Sequence, residues 1–416
     1  MLDPINISLA DYGVSSRHGF LPENPPLTEL SNLYYQPWEL IVHNLPLLLR
    51  SGLLRKRVDE LPTLSTSHLY MESEWQKAYL LLSYLSQAYI WGGSQPSEIL
   101  PPAITVPMLT VSSHLGLPST ATYAAFNLWN FRTTATDKNI QTCPLETLST
   151  IHTFTGTPDE DWFFLISIGI ELRGAATIPL MLNALRAIQA RDIQTLLHSL
   201  LKFADIISEC SLILGRMYER CRPEVFYHQI RPFLAGSKNM AVAGLPRGVF
   251  YDEGDGNGEW KQFSGGSNAE SSLIQFFDIV LGVEHSNATT FLEDMRNYMP
   301  TPHREFLLKI ESISNIRSFV QTNPSSEALL DAYNLAVTRL KQFRDIHIQI
   351  VTRYIISPSR KVSPEKGTGL NLAIASAKEN REKGRDDLKG TGGTELMPFL
   401  KKCRDETISA GMTVES

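Results

Sequence analysis

Three groups of residues in this chain have types and spacings that could carry chemistry. The first is His347, which at helical spacing shares a face with Phe343, Ile350, Val351 and Tyr354. An imidazole in such an apolar wall is either a hydrogen-bonded core histidine or an axial ligand to a metal or haem iron, and the spacing alone leaves both readings open. The second is Gly265-Gly-Ser-Asn-Ala-Glu270, where Ser267 and Glu270 have the separation of a capping box. Two glycines ahead of a helix allow close backbone approach to a ligand, although a plain helix start explains them as well. No Lys-Ser/Thr pair follows, so this is not a phosphate-cradling P-loop. The third is Gly390-Thr-Gly-Gly-Thr394, which ends the charged stretch Lys361 to Lys389. That composition suits a lid closing over a site, and equally a terminal loop capped by Thr394.

Several other chemistries are disfavoured. Gly254, Gly256 and Gly258 alternate with Asp255 and Asn257, but Trp260 occupies the position where a calcium loop counted from Asp255 requires glycine, so a solvated turn is expected. Cys143, Cys210, Cys221 and Cys403 form no Cys-x-x-Cys and are expected to be reduced thiols. No His-Glu-x-x-His occurs among the ten histidines, so spacing gives zinc no support. With 44 acidic against 38 basic residues among 416, the net charge is −6, which provides no diffuse positive field for nucleic acid or an anionic membrane surface. The greasiest stretch, Tyr79 to Trp91, carries Ser83, Gln87 and several tyrosines and tryptophans, and no membrane span is expected. Met1 to Asp11 lacks a basic segment leading into an apolar one, so the expected location is the cytoplasm.

The elements that must hold these residues read as helices. Prolines from Pro22 to Pro118 interrupt the first part, leaving short helices, with better ones over about Pro37 to Ser51 and Glu72 to Trp91. Ala103 to Val111 reads as extended. From about Asp159 long amphipathic helices take over: Asp161 to Glu171, on through Pro179 to Gln189, and about Asp192 to Arg220. Gly236 to Gly266 reads as irregular. Leu273, Phe276, Phe277 and Val280 make the stripe of the next helix, and the longest runs from Ser325 or Ser326 to about Ile356. A last helix holds Leu396, Met397, Phe399 and Leu400. Hydrophobic periodicity therefore predicts an all-α protein in two unequal parts, residues 1–150 and 159–416, with a mobile loop at 361–394.

Five ordered motifs then resemble one family, the indoleamine 2,3-dioxygenases: Phe226-Tyr-His-Gln-Ile-Arg-Pro-Phe-Leu-Ala-Gly236, Phe263-Ser-Gly-Gly-Ser267, Tyr298-Met-Pro-Thr-Pro-His-Arg304, His347-Ile-Gln-Ile-Val-Thr-Arg-Tyr354 and Lys389-Gly-Thr-Gly-Gly-Thr394. Weaker likeness reaches Arg55 to Pro62, Ala88 to Gly92 and Leu115 to Pro118, so it covers nearly the whole chain. The resemblance implies a two-domain helical haem protein, in which the small N-terminal domain covers the distal side of haem b and the large C-terminal domain carries its ligand. It makes His347 the proximal iron ligand. It pairs Arg344 with Asp278 beside a haem propionate, with backbone at Gly265, Gly266 and Ser267 lining the pocket.

For substrate the resemblance implies that Arg231 binds a carboxylate, a task for which a planar two-pronged guanidinium is suited. Phe226 would pack on the indole beside Tyr227, which stands where the family often has phenylalanine. Tyr123, Phe126, Phe163 and Ser167 would form the distal pocket, and Thr391 would reach the substrate ammonium when the Gly-rich loop closes. None of these is an acid or base, Ser167 being a hydrogen-bond partner at most. The implied reaction is haem-dependent: ferrous iron, kept reduced by an electron donor, supports insertion of both atoms of O2 across the C2–C3 bond of L-tryptophan to give N-formylkynurenine, the first step of tryptophan catabolism toward NAD. Protein contributions would be orientation, exclusion of water and electrostatics. An alternative is a haem protein of the same fold serving as oxygen carrier, sensor or dioxygenase of another indole. Asn268 and Glu270, where the family frequently has Ala and Gln, depart from the pattern. A monomer is expected.

Overall fold

The structure, a computed structural model, describes residues 7–133, 144–285, 289–361 and 396–412. Helices dominate, with two small sheets among the described residues, so the fold is all-α as the periodicity predicts. The expected loop at 362–394, including Thr391, and Cys143 lie outside the described residues.

The helix Glu327–Val351 is the longest element and packs along Ile193–Gly215 and Leu396–Ser409. Leu329, Ala332, Tyr333, Ala336, Leu340 and Phe343 are buried along it, spaced by threes and fours, which is what makes one face of a 3.6-residue helix apolar. Beyond Val351 it widens into a π-helical turn, Thr352–Ile356. The helix Pro158–Gly174 is well specified locally. Thr157 accepts from the Glu160 amide at 3.3 Å, Pro158 opens the first turn, and Asp159, Glu160 and Asp161 meet the positive end of the helix dipole.

Several expectations are corrected. Ala103 to Val111 is helical, not extended: Pro102–Leu115 buries Ala103, Ile104, Met108, Val111 and Leu115 at helical spacing, and Gly116 closes it at φ 62°. Pro37 to Ser51 is two helices, Gln36–His43 and Leu45–Ser51, parted at Asn44 just ahead of Pro46. Gly236 to Gly266 is not wholly irregular. Val249–Gly254 and Asn257–Lys261 form an antiparallel hairpin whose first strand also pairs in parallel with Ile99–Leu100, Ile99 opposite Phe250. Asp255 and Gly256, both at positive φ, make its tip, the solvated turn expected there. The box of Ser267 and Glu270 closes a 3-10 turn, Asn268–Glu270, and Ser271 caps the following helix Ser272–Leu281. Among the described residues the long apolar helical stretch is Pro158–Ala190 rather than Tyr79 to Trp91. It has the length and hydropathy of a membrane span, but it divides into helices Pro158–Gly174 and Thr177–Ala190, and 78% of its most apolar window is buried within the protein.

Buried side chains before residue 150 and after 159 belong to one contiguous core. Polar contacts cross between the two parts as well. Gln87 Nε2 donates to the carbonyls of Phe233 and Ala235, Trp91 Nε1 donates to Ala235, and Tyr251 Oη donates to Ser119 at 2.6 Å. The segment around Ala235 lies in turn against residues 263–265, where a Cβ on Gly265 would stand 2.2 Å from the Leu234 oxygen and 2.3 Å from the Gly236 nitrogen. Backbone atoms cannot step aside as a side chain can. Gly265→Ala is expected to destabilise the fold by about 1–3 kcal/mol, read as a lower urea midpoint, and an unchanged midpoint would count against this close approach.

Candidate active site

The elements above enclose one cavity of about 260 Å³. Pro158–Gly174 presents Phe163, Phe164, Ser167 and Ile170 along a single face, and the long helix contributes Phe343, Arg344, His347, Ile350 and Val351. The C-terminal helix Leu396–Ser409 adds Phe399 and Cys403. Three π-helical turns supply further wall: Ala124–Leu128 carries Phe126 and Asn127, Phe226–Ile230 carries Phe226, and Thr352–Ile356 carries Tyr354 and Ile355. An extra residue in a turn rotates the side chains after it relative to a regular helix, a device that is common at functional sites.

The aromatic lining is mutually packed. Phe163 and Phe226 have ring centroids 4.9 Å apart, Phe126 and Phe164 5.7 Å, and Phe226 meets Tyr354 edge-on at 5.8 Å. Tyr354 is anchored by donating to the carbonyls of Cys221 at 2.7 Å and Met217 at 3.1 Å. Gly266 faces Phe126 so closely that a Cβ would lie 3.0 Å from its ring, so a side chain there would fill cavity space.

Four charged or titratable groups border this apolar space. Burial, with the Arg344 charge adding to it, pulls His347 down to about 4, so the imidazole is neutral near pH 7. Neither of its ring nitrogens has a hydrogen-bond partner among the described residues, which leaves the lone pair of the unprotonated nitrogen available to a ligand. Arg344 holds Asp278 with two contacts of 2.7 Å from Nη2 and also contacts Thr407. Burial would raise the Asp278 carboxyl, but Arg344 and His285 override it and keep the group below its usual range. Arg231 is buried, its guanidinium 5.7 Å from the centre of the Tyr227 ring, and burial opposes its charge.

Of the residues singled out in the sequence, Tyr123, Phe126, Phe163, Ser167, Phe226, Arg231, Gly266, Ser267, Asp278, Arg344 and His347 are brought together on this cavity. Tyr227 is not: it is buried behind the wall against Arg231. Gly265 also stays off the cavity, its space taken by residues 234–236. Asn268 does border the cavity.

Sequence reading missed Glu171. It is buried in the Pro158–Gly174 helix, where its Oε1 accepts from Ser271 Oγ at 2.7 Å and from Tyr123 Oη at 3.0 Å, both on cavity-lining residues. A carboxylate therefore stands one hydrogen bond behind the wall. The signal was present, since Glu171 follows the uncharged run Trp162 to Ile170. Glu270 works on the same tyrosine from the other side, accepting from the Tyr123 amide at 2.7 Å and the Ser267 amide at 3.1 Å.

Residues 8–410 match the profile of the family described as indoleamine 2,3-dioxygenase. The chain belongs to the indoleamine 2,3-dioxygenase family. It is accordingly an oxidoreductase of the dioxygenase class. Among its relatives, the indoleamine 2,3-dioxygenase of Aspergillus nanangensis is 44% identical over 99% of this chain and 98% of its own length. That of Saccharomyces cerevisiae is 42% identical over 96% and 93%. The 6-hydroxytryptophan 2,3-dioxygenase of Fusarium equiseti is 40% identical over 98% and 99%.

Glu171 also makes stability depend on pH. Burial pushes its carboxyl up to about 7 against the opposing hydrogen bonds from Ser271 and Tyr123. Because the folded state holds this proton more tightly than the unfolded chain, its contribution is complete below about 4.5 and fades as pH rises through about 7. Glu171→Gln, which cannot ionise, is expected to flatten the fall in thermal midpoint between those limits; a midpoint profile parallel to wild type would refute the assignment.

Proposed function

We propose that this dioxygenase is haem-dependent and cleaves the indole ring of L-tryptophan, adding both atoms of O2 across C2–C3 to give N-formylkynurenine. The observation that carries the reading is one apolar cavity bordered by both an unpartnered neutral imidazole, His347, and a buried guanidinium, Arg231. The donor set fits haem. A neutral imidazole is the form that coordinates iron, the long packed helix holds it rigidly, and Phe343, Ile350 and Val351 offer apolar contact on the same face. Arg344, held by Asp278 on the same cavity, would meet a propionate. When bound, haem supplies the redox chemistry that activates O2, and an electron donor keeps its iron ferrous.

The chain's own residues bind and orient. Arg231 would take the substrate carboxylate through parallel N–H donors, in surroundings where desolvation makes a counter-charge valuable. Phe163 and Phe226, already in contact, would confine the flat indole and exclude water. Among the described residues no strong base stands free on the wall: Asp278 is bound by Arg344, and Glu171 is screened by the Tyr123 and Ser271 hydroxyls. An electron-rich indole ring needs none. In this reading residues 1–150 would close the distal side, and Thr391, outside the described residues, is expected to meet the substrate ammonium.

Asn268 favours a second reading, a hydroxylated indole as substrate, because its amide adds a hydrogen-bonding group to the cavity wall. The Fusarium equiseti relative is named for such a substrate. Turnover of the reduced, haem-loaded protein with L-tryptophan and with 6-hydroxytryptophan, followed by product mass, separates the two readings. N-formylkynurenine from L-tryptophan is expected with the higher kcat/KM. Absence of that product at any substrate concentration would overturn the proposal. Arg231→Ala is expected to lower kcat/KM for L-tryptophan by about 100-fold, corresponding to roughly 3 kcal/mol for a buried charge-assisted pair; unchanged kinetics would remove Arg231 from the site. His347→Ala is expected to abolish stable haem retention and the Soret band while far-ultraviolet circular dichroism stays helical. A retained Soret band would refute ligation by His347.

A further inference from the structure

Beside the cavity, on the side of Asp278 and Arg344, lies a cluster that the dioxygenase reading does not use. His285, Cys403 and Glu406 place one ligand-type atom each within 4.8 Å of the others. Cys403 and Glu406 sit three residues apart on the Leu396–Ser409 helix and so share a face. His285 comes from the chain just beyond the Ser272–Leu281 helix, which Gly282 terminates at φ 64°. All three side chains are shielded: Cys403 is 7% exposed, the His285 side chain 8% and the Glu406 side chain 12%.

The imidazole is oriented from both ends. Its Nδ1 lies 2.9 Å from Glu406 Oε2, and its Nε2 lies 3.2 Å from Asp278 Oδ2, on the carboxylate that Arg344 grips with two contacts. One imidazole nitrogen points toward sulfur and oxygen ligands, and the other lies 3.2 Å from a held carboxylate, a distance from which it can gain the outer-sphere support that metal-binding histidines usually have. Tetrahedral zinc needs ligand-to-ligand edges of about 3.3–3.8 Å, and the three ligand-type atoms here all lie within 4.8 Å of one another.

We propose that His285 Nδ1, Cys403 Sγ and a Glu406 carboxylate oxygen bind a zinc ion, with Asp278 accepting the second imidazole N–H. One thiolate, one imidazole and one carboxylate are borderline-soft donors that suit zinc over magnesium or calcium. Three protein ligands leave the fourth position to water. Coordination releases the Cys403 thiol proton, and any proton on His285 Nδ1, to solvent.

The test is zinc retention by the full-length protein after incubation with excess zinc sulfate and gel filtration, read by elemental analysis per chain and independent of haem content or turnover. About one zinc per chain is expected. Cys403→Ser and Glu406→Gln, each checked for folding by circular dichroism, are expected to weaken competition against a chromophoric chelator by about 100-fold, and Asp278→Asn by about 10-fold. In the wild type, zinc should also slow alkylation of Cys403 as read by peptide mass, which needs no variant to fold. Retention below about a tenth of an equivalent, retention that both ligand variants keep, or alkylation of Cys403 at the same rate with and without zinc overturns the site.

Discussion

A neutral imidazole held in a dry, aromatic-lined cavity is the constraint around which the rest of this protein is arranged. Burial, with the Arg344 charge, keeps His347 uncharged, and in the proposed role the imidazole must keep one ring nitrogen free for a ligand. It must also stay fixed in direction, which requires a helix that cannot bend. Glu327–Val351 meets both conditions by packing against Ile193–Gly215 on its apolar face. The neighbouring cation, Arg344, adds to the pressure against protonation and is itself neutralised by Asp278. A bare guanidinium beside an apolar cavity would be costly, and the two-pronged pair makes it tolerable.

The opposite wall is governed by buried carboxyls rather than by exposed charges. Glu171 takes the Tyr123 hydroxyl and Glu270 takes the Tyr123 amide, so one aromatic residue is gripped at both its side chain and its backbone. Both acids are pushed upward by burial. Glu270 in addition closes the turn after Gly265-Gly266 by accepting from the Ser267 amide. The polar groups around the cavity thus spend their hydrogen bonds on positioning the wall.

Much of this site was legible in the residues themselves. Helical periodicity marked the long helix and placed His347 on its apolar face with Phe343, Ile350 and Val351. The resemblance in five ordered motifs then assembled Tyr123, Phe126, Phe163, Ser167, Phe226, Arg231 and Arg344 into one pocket, and all of them border the cavity. Tyr227 did not follow, because adjacent residues in a helical turn point in different directions and only Phe226 faces inward. Glu171 escaped notice because an acid in an apolar helix reveals nothing of its partners until Tyr123 and Ser271, distant in sequence, are brought beside it.

What the amino-acid order determined by itself was local: which stretches are helical, which faces are apolar, where caps such as Thr157 and Ser271 begin a helix. These depend on neighbours within a few residues, and the pattern records them. Tertiary packing alone decided the π-helical turns that aim Phe126, Phe226 and Tyr354, the strand Ile99–Leu100 drawn onto a distant hairpin, and the convergence of His285, Cys403 and Glu406. Each depends on contacts between residues tens to hundreds of positions apart, whose energies favour a geometry that no short window of sequence encodes.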